Sequence, residues 1–436
     1  MPRLSRRQFV TTAGLAAAAG TVALRPAKQG SPHDTYFQHL QAALRHAGVG
    51  TPTLIIDRER LQANARQVVH NINGRMQLRL VNKSLPSLAL LDELARLTGT
   101  TRQMVFNLPY LQLLTKERPH CDVLLGKPLP AAAAARFYAQ PPTSGFDPST
   151  QLQWLIDTPE RLQQYRDLAR AQKIPMRVNL EIDVGLHRGG VADEATLHTM
   201  IRLLQEEPLL RWSGLMGYDP HTEKIPDLPG MRQAARDHVK AVYQRMTELM
   251  LASPVGQTQS QTQSQGAARA ALTLNTAGSP TYRLHDGSDA ANEVSVGSAM
   301  VKPTDFDTPL LADLSPACFI ATPVIKSGPF QAPNGVEWIG QLAQWWDRNQ
   351  RHAVFIYGGH WLAQPVSPPG LAPSGLIGPS SNQQILLGSG LQGLHSDDFV
   401  FLRPTQSEAV LQQFGDIAVY SNGRITDWWP AFPAQA

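Results

Sequence analysis

In Leu78-Arg79-Leu80-Val81-Asn82-Lys83-Ser84, an alternating apolar run ends at a single lysine, and the prediction of the fold starts from this pattern. The following Leu85-Pro86 leaves the strand, so the pattern predicts one amine at the carboxyl end of a parallel strand. In a (β/α)8 barrel, catalytic groups lie at this end of the strands. A lysine shielded there by apolar walls can act as a Schiff-base nucleophile. From this stretch alone, an ordinary loop lysine that reaches into water is the alternative.

Apolar runs and amphipathic helical patterns alternate on both sides of this stretch, from residue 50 to about residue 290. Strands are predicted at Thr53–Asp57, Gln77–Val81, Gln103–Asn107, Asp122–Gly126, Gln153–Asp157, Met176–Asp183, Trp212–Tyr218 and Ala271–Thr276. Helical patterns lie between them, for example at Arg58–Ile72, Ser87–Leu97, Pro159–Gln172, Glu194–Glu206 and Met231–Leu251. This alternation indicates an α/β fold with a parallel sheet covered by helices, and the number of units fits a closed (β/α)8 TIM barrel. A doubly wound open sheet is the alternative, but no GxGxxG follows the first strand to favour it.

Beyond residue 295 the helical patterns thin out, and Pro, Gly and short apolar runs dominate. Strands are predicted at Cys318–Val324, Val336–Gly340, Ala353–Tyr357, Gln384–Leu387, Phe399–Leu402 and Ile417–Tyr420. We therefore expect a barrel over residues 50–290 and a C-terminal all-β domain over residues 295–436. Residues 31–49 are a candidate addition to the β domain.

The N-terminus has the composition of an export signal. Ser5-Arg6-Arg7-Gln8-Phe9-Val10 precedes an alanine-rich apolar run over residues 11–24, which predicts a twin-arginine signal peptide within residues 1–28. We therefore expect a periplasmic or exported protein. Removing residues 1–28 leaves 34 basic and 35 acidic residues, a formal charge of −1. This near-neutral body gives no electrostatic reason to bind nucleic acid, or a membrane after the signal is removed.

Polar residues stand at the carboxyl ends of the predicted strands, and barrel geometry would bring them to one face. They are Asp57, Lys83, Asn107, Lys127, Asp157, His187, Arg188, Tyr218, His221 and Asn275–Thr281. Asp57 and Asp157 are interpreted as helix caps, because each precedes a predicted helix. Thr276-Ala277-Gly278-Ser279-Pro280-Thr281-Tyr282 offers small residues, hydroxyls and backbone N–H groups, which can cradle a phosphate dianion. A plain Gly-Ser-Pro turn is the alternative.

At these residues the chain resembles the fold-type III pyridoxal-phosphate enzymes, the alanine racemase N-terminal domain family. Within them it is most similar to the branch with D-threonine aldolase and eukaryotic-type D-serine dehydratase. Arg79–Ser84 resembles the family segment whose lysine forms the internal aldimine. The other similar segments are Thr51–Asp57, Leu61–Asn64, Glu181–Val191, Gly214–His221, Asn275–Tyr282 and Asn292–Ser298.

The resemblance implies a role for each matching residue. Lys83 would hold pyridoxal 5'-phosphate as an aldimine and move the Cα proton. Gly278, Ser279 and Thr281 would bind the phosphate. The remaining pocket residues would be Arg188, His187, Tyr218 and His221, with Tyr218 and His187 as catalytic candidates beside Lys83. The resemblance also implies a small amino-acid substrate and a homodimer.

The chain departs from this branch at the metal site. D-threonine aldolase and D-serine dehydratase carry a late His-x-Cys or His-x-Asp pair that binds a divalent metal, whereas Gln406 and Glu408 stand at those positions here. A neutral amide is a poor ligand for a transition metal. Glu408 retains the chemistry to bind a hard cation with help or to act as an acid or base. We therefore assign no metal ligand. Val81 and Pro86 also replace the family's histidine before the lysine and its basic residue after it.

Three functions stay open from the sequence. The expected one is a pyridoxal-phosphate-dependent lyase, an aldolase or a dehydratase, that acts on D-β-hydroxy amino acids through the Lys83 aldimine. The second is an exported amino-acid racemase, in which Tyr218, His187 or His360 would supply the second acid/base. The third is a non-catalytic barrel that binds pyridoxal phosphate or an amino acid.

Overall fold

A computed structural model describes residues 25–260 and 271–433. The predicted signal peptide therefore lies, up to residue 24, outside the described residues. Within the described ranges no helix combines the length and the apolar character needed to cross a membrane.

Eight parallel strands close into a barrel, which confirms the predicted (β/α)8 fold. In order around the barrel they are β2 (Gln77–Val81), β3 (Arg102–Val105), β4 (Asp122–Leu125), β5 (Leu152–Ile156), β6 (Met176–Ile182), β7 (Leu210–Gly217), β8 (Thr273–Thr276) and β9 (Glu293–Val296). Parallel pairing of β9 with β2 closes the ring. The carboxyl ends of all eight strands therefore open onto one face of the barrel.

Helices alternate along the chain with the barrel strands, and several begin at side-chain caps. They span Arg58–Ile72, Leu88–Thr98, Leu108–Glu117, Ala131–Ala139, Pro148–Gln151, Pro159–Gln172, Glu194–Gln205, Met231–Ala252, Pro254–Ser260 and Ser298–Val301. Asp57 caps the first helix as predicted, because its side chain accepts a hydrogen bond from the Arg60 N–H. The predicted cap at Asp157 is wrong, since Thr158 caps the helix Pro159–Gln172 instead. Asp157 thereby remains available to the face of the barrel where the strands end.

The prediction of which strands form the barrel was wrong for the first and the last strand in chain order. The first predicted barrel strand, β1 (Thr53–Asp57), pairs in a second sheet, and β9 takes the eighth place in the barrel. Every residue of β1 is buried, so its apolar pattern reports burial without reporting which strands lie beside it.

The second sheet has nine strands and forms a separate domain, as predicted, although this domain is not all-β. Besides β1 they are β10 (Cys318–Pro329), β11 (His352–Tyr357), β12 (Ala363–Ser367), β13 (Ala372–Pro373), β14 (Gln383–Gly388), β15 (Phe399–Pro404), β16 (Ile417–Ser421) and β17 (Arg424–Trp429). The helices Thr35–His46 and Glu337–Trp346 belong to the same compact unit as this sheet. The strand predicted at Val336–Gly340 is wrong, because four of its five residues lie in the second of these helices. A five-residue apolar run does not separate a strand from a helix turn by its pattern alone.

Two compact units divide the chain. The sheet unit includes residues 25–55, 319–405 and 420–427. The barrel unit includes residues 56–260, 271–318, 406–419 and 428–433. The short segment 406–419, which carries Gln406 and Glu408, therefore belongs to the barrel unit.

A buried ion cluster fixes the barrel beneath the strand ends. Arg79 is fully buried and contacts Glu293 and Asp122, each at 2.6 Å. Its guanidinium also donates to the backbone oxygens of Gln103 and Asp122, both at 3.0 Å. The Asn275 side chain donates to the same Glu293 carboxylate at 2.8 Å. One arginine therefore joins β2 to β3, β4 and β9 inside the barrel.

Candidate active site

A cavity of about 580 Å³ opens at the carboxyl ends of the barrel strands. Of the residues predicted from sequence, the cavity wall includes Lys83, Arg188, Tyr218, Gly278 and Ser279, together with Glu408. All of these residues belong to the barrel unit. Convergence of an amine, a guanidinium, a phenol and a carboxylate in one concave cavity is typical of an active site.

Lys83 lies in a short 3-10 turn, Asn82–Ser84, directly after β2. Its Nζ lies 3.6 Å from Glu408 Oε1 and 4.6 Å from the centroid of the Phe106 ring. The Lys83 side chain is 40% exposed. The amine is therefore reachable from the cavity and has a carboxylate within ion-pair distance.

Two small-residue loops form another part of the wall. Ser279 Oγ accepts hydrogen bonds from the N–H groups of Gly297 (3.1 Å) and Ala299 (3.0 Å), which joins the loop after β8 to the loop after β9. A Cβ atom on Gly278 would lie 2.6 Å from Tyr218 Cε2, and one on Gly297 would lie 2.8 Å from Val81 Cβ. Both positions therefore require glycine for close approach. The resulting recess, with hydroxyl and backbone groups, fits a phosphate group.

Thr281 lies behind this recess and does not line the cavity. Its Oγ1 donates to Asp219 Oδ1 at 2.6 Å, and Asp219 Oδ2 contacts His285 Nε2 at 2.9 Å. His285 Nδ1 in turn lies 3.2 Å from Asp289 Oδ2. Burial alone would lower the pKa of His285, but the two carboxylates raise it to about 9. The charged imidazole therefore holds the carboxylate to which Thr281 is bound, so Thr281 positions the loop after β8.

Arg188 and Tyr218 form a pair on the wall, with the guanidinium carbon 4.9 Å from the ring centroid. Burial raises the pKa of Tyr218, so its phenol is protonated at neutral pH. Glu181 lines the same cavity and is almost fully buried. Burial raises the pKa of Glu181 to about 7, with Arg188 opposing the shift and Asp157 adding to it.

Sequence reasoning gave Glu181 no role of its own. The signal was present, because the polar residues of this strand, Arg177, Asn179 and Glu181, stand at alternate positions, as inward-facing residues of a barrel strand do. Ser295 and Arg161 also line the cavity without having been assigned, and so does Asn275, which was predicted at the end of its strand. Asn275 and Ser295 are hydrogen-bonded to each other at 2.8 Å.

The three histidines considered for the pocket do not lie on the cavity wall, against the prediction. His187 is 81% exposed and contacts Asp183 at 2.7 Å, with a positive φ of 55°. The turn that Gly185 begins, with φ of 110°, presents Arg188 to the cavity and leaves His187 in solvent. His221 lies beside that same Gly185, whose Cβ position is 3.3 Å from the imidazole. His360 belongs to the sheet unit.

The side chains at the expected metal-ligand positions do not fit a resident metal. Gln406 does not line the cavity, and its amide donates to Asp305 Oδ2 at 3.0 Å. Over residues 25–260 and 271–433, no group of three or more His, Cys, Asp and Glu side chains is arranged to hold a metal ion. Glu408 is thus the one charged oxygen donor that this pair of positions offers to the cavity.

Titration of Glu181 should make the stability of the protein depend on pH. Because the folded pKa of about 7 exceeds the ordinary value of 4.5, the folded state holds a proton that the unfolded state releases as pH rises through this range. Wild-type stability should therefore fall, relative to Glu181→Gln, between about pH 4.5 and pH 7, by roughly 3 kcal/mol in total. Urea unfolding of the cofactor-free protein at several pH values measures the difference. Glu160→Gln, which removes an exposed carboxylate, is the matched control. A difference that does not grow with pH would contradict the prediction.

Comparison with known proteins identifies the fold. The family described as "Alanine racemase, N-terminal domain" matches residues 56–305. No curated protein matches the chain significantly. Among solved structures, D-threonine aldolase from Filomicrobium marinum has a TM-score of 0.67 and 17% identity, covering 93% of this chain and 98% of its own. D-threo-3-hydroxyaspartate dehydratase from Delftia sp. HT23 has a TM-score of 0.66 and 17% identity, and the match covers 89% of this chain and 98% of the dehydratase. Alanine racemase from Bacillus anthracis has a TM-score of 0.62 and 12% identity, covering 88% and 98%. At these identities the structural likeness shows the fold alone.

Proposed function

The chain belongs to the alanine racemase N-terminal domain family, and we propose that it is a pyridoxal-phosphate-dependent enzyme whose cofactor is attached to Lys83. The observation that carries this proposal is the cavity itself. It contains the accessible Lys83 amine beside the Glu408 carboxylate, together with a recess of small residues that fits a phosphate group. The amine and the recess are the two features by which the cofactor would be held.

The residues of the cavity would have different roles in binding and catalysis. Bound pyridoxal phosphate supplies an electron sink for charge that develops at the substrate's Cα. Gly278 and Ser279 bind the phosphate, and Thr281 holds their loop in place. Arg188, stacked on Tyr218, orients the ring and the substrate. Lys83 attaches the cofactor and moves the proton at Cα.

We assign the reaction to a lyase, an aldolase or a dehydratase, that acts on D-β-hydroxy amino acids. Support comes from two proteins of like fold, named D-threonine aldolase and D-threo-3-hydroxyaspartate dehydratase, which match this chain over most of both lengths. It also comes from the polar wall beside Lys83, where Ser84, Ser298 and Glu408 give a substrate hydroxyl hydrogen-bonding partners.

The test is a substrate panel with the cofactor-loaded protein. D-threonine, D-serine and D-threo-3-hydroxyaspartate should yield an aldehyde or a keto acid, whereas the L-isomers should not react.

A racemase is the second candidate, because the protonated Tyr218 lines the same cavity as Lys83 and two proton donors are what racemisation needs. Loss of chirality, with solvent deuterium appearing at Cα and no bond to Cβ broken, would favour the racemase. Failure to take up pyridoxal phosphate would favour a non-catalytic role.

Gly278→Ala should weaken cofactor binding. The added Cβ would meet the Tyr218 ring at 2.6 Å, so the phosphate loop or the ring must move. We expect the affinity for pyridoxal phosphate to fall by about tenfold or more, equal to roughly 1.4 kcal/mol. Fluorescence titration of cofactor-free protein measures it. Gly328→Ala is the matched control, because no atom lies within 4 Å of its Cβ position. An unchanged affinity in Gly278→Ala would place the phosphate elsewhere.

Export by the twin-arginine route stays a proposal that rests on Ser5–Val10. Replacing Arg6 and Arg7 together by lysine should retain the protein in the cytoplasm, since this route reads the arginine pair rather than its charge. Arg3→Lys is the matched control and should leave export unchanged. Cell fractionation and immunoblotting measure both. Normal export of the double variant would contradict the assignment.

A further inference from the structure

Glu408 has the position of a group that exchanges protons with a bound substrate. Its side chain is 36% exposed on the cavity wall, and its Oε1 lies 3.6 Å from Lys83 Nζ. No other carboxylate forms an ion pair with Lys83 among the described residues. A substrate whose Cα is within reach of the Lys83 amine would therefore have its next atoms close to Glu408.

Three buried serines hold the other oxygen of this carboxylate. Glu408 Oε2 lies 3.2 Å from Ser407 Oγ, 3.4 Å from Ser298 Oγ and 3.5 Å from Ser84 Oγ. Ser298 Oγ is also 3.0 Å from Ser84 Oγ and 2.9 Å from Ser407 Oγ, so the hydroxyls form one cluster. Neutral donors clustered on one oxygen fix the orientation of the carboxylate and leave Oε1 for the cavity.

The same surroundings are a poor metal site. The hydroxyls of the cluster are neutral and hydrogen-bonded to one another, and the Gln406 amide is turned to Asp305. Glu408 would be left as a single charged ligand, whereas a resident divalent cation requires several. An oriented carboxylate beside an amine instead suits general acid–base chemistry.

We infer that Glu408 is a catalytic residue that takes the proton of the substrate's β-hydroxyl without the help of a metal; this inference rests on the proposed lyase function. As Glu408 Oε1 accepts that proton, the O–H electron pair becomes the second bond of the aldehyde carbonyl and the Cα–Cβ bond breaks. The electron pair of that bond remains on Cα. There it takes a proton from the Lys83 ammonium group, so that D-threonine yields glycine and acetaldehyde.

The experiment compares two reactions of the cofactor-loaded protein. Cleavage of D-threonine requires the β-oxygen, whereas exchange of the Cα proton of D-alanine with solvent deuterium does not. In Glu408→Gln we expect cleavage to fall by about 100- to 10,000-fold, while exchange stays within about threefold of wild type. Glu408→Asp should recover part of the cleavage. Gln406→Ala, at the neighbouring position outside the cavity, should behave as wild type in both reactions.

Two further measurements do not depend on turnover. Mass spectrometry after borohydride reduction should find the cofactor on Lys83 in Glu408→Gln as in wild type. Metal analysis of the wild-type protein after dialysis against a chelator should find no zinc or manganese, with cleavage unchanged.

Three results would contradict the inference. Equal losses of cleavage and exchange in Glu408→Gln would overturn the inference, because the carboxylate would then act through Lys83. Loss of cleavage on chelation that zinc or manganese restores would also overturn it. A wild-type protein that binds the cofactor but cleaves no D-β-hydroxy amino acid would refute the proposed lyase reaction itself, and the inference with it.

Discussion

Lys83→Ala should abolish covalent attachment of pyridoxal phosphate and lower any turnover by at least about a thousandfold. The reason is chemical, because the variant loses both the amine that attaches the cofactor and the group that moves the Cα proton. An arginine in the same cavity, such as Arg188, cannot take over these roles, because a guanidinium is neither a Schiff-base nucleophile nor a proton shuttle in proteins. Lys83→Arg keeps the positive charge and should fail in the same way.

The near-ultraviolet and visible spectrum, recorded before and after borohydride, measures this prediction directly. A reducible band should be present in wild type and absent in the variant, and peptide mass mapping should find the reduced adduct at Lys83. Lys127→Ala is the matched control, because Lys127 is an exposed lysine on the wall of the same cavity and its loss should leave the band in place. An unchanged covalent band in Lys83→Ala would place the nucleophile at another residue.

Arg79→Met should lower the free energy of unfolding by roughly 3–5 kcal/mol. Arg79 is fully buried between Glu293, which is 2% exposed, and Asp122. Methionine fills part of the space but leaves the Glu293 carboxylate buried without its main partner. Burial of a charge whose partner has been removed is among the most costly changes in a protein interior.

Urea unfolding of the cofactor-free protein measures this loss, and the chain provides a close control. Arg102 contacts the same Glu293 carboxylate at 3.1 Å but is 40% exposed, so Arg102→Met should cost about 1 kcal/mol or less. Adding Glu293→Gln to Arg79→Met should recover part of the lost stability, because the uncompensated charge is removed. Equal losses for Arg79→Met and Arg102→Met would show that burial does not control the strength of this cluster.

The order of residues along the chain was enough to predict the barrel and the position of its lysine. Apolar runs alternating with helical patterns predict parallel strands covered by helices, and the run from Leu78 ends at Lys83 as the structure has it. The helices Arg58–Ile72 and Pro159–Gln172 have the predicted limits, because their periodicity is a local feature. The small residues at Gly278 and Ser279 likewise marked the recess, since only small side chains permit such close approach.

Which side chains meet could be learned only from the folded chain. It moved β1 out of the barrel and placed β9 in it, because burial of a strand does not specify its neighbours. It turned His187 to solvent and Arg188 into the cavity, because the backbone of one glycine-containing turn sets both directions. It raised the pKa of Glu181 and brought Glu408 from a distant segment to Lys83. Periodicity and capping act over a few residues, whereas burial, strand pairing and charge proximity depend on segments that only folding brings together.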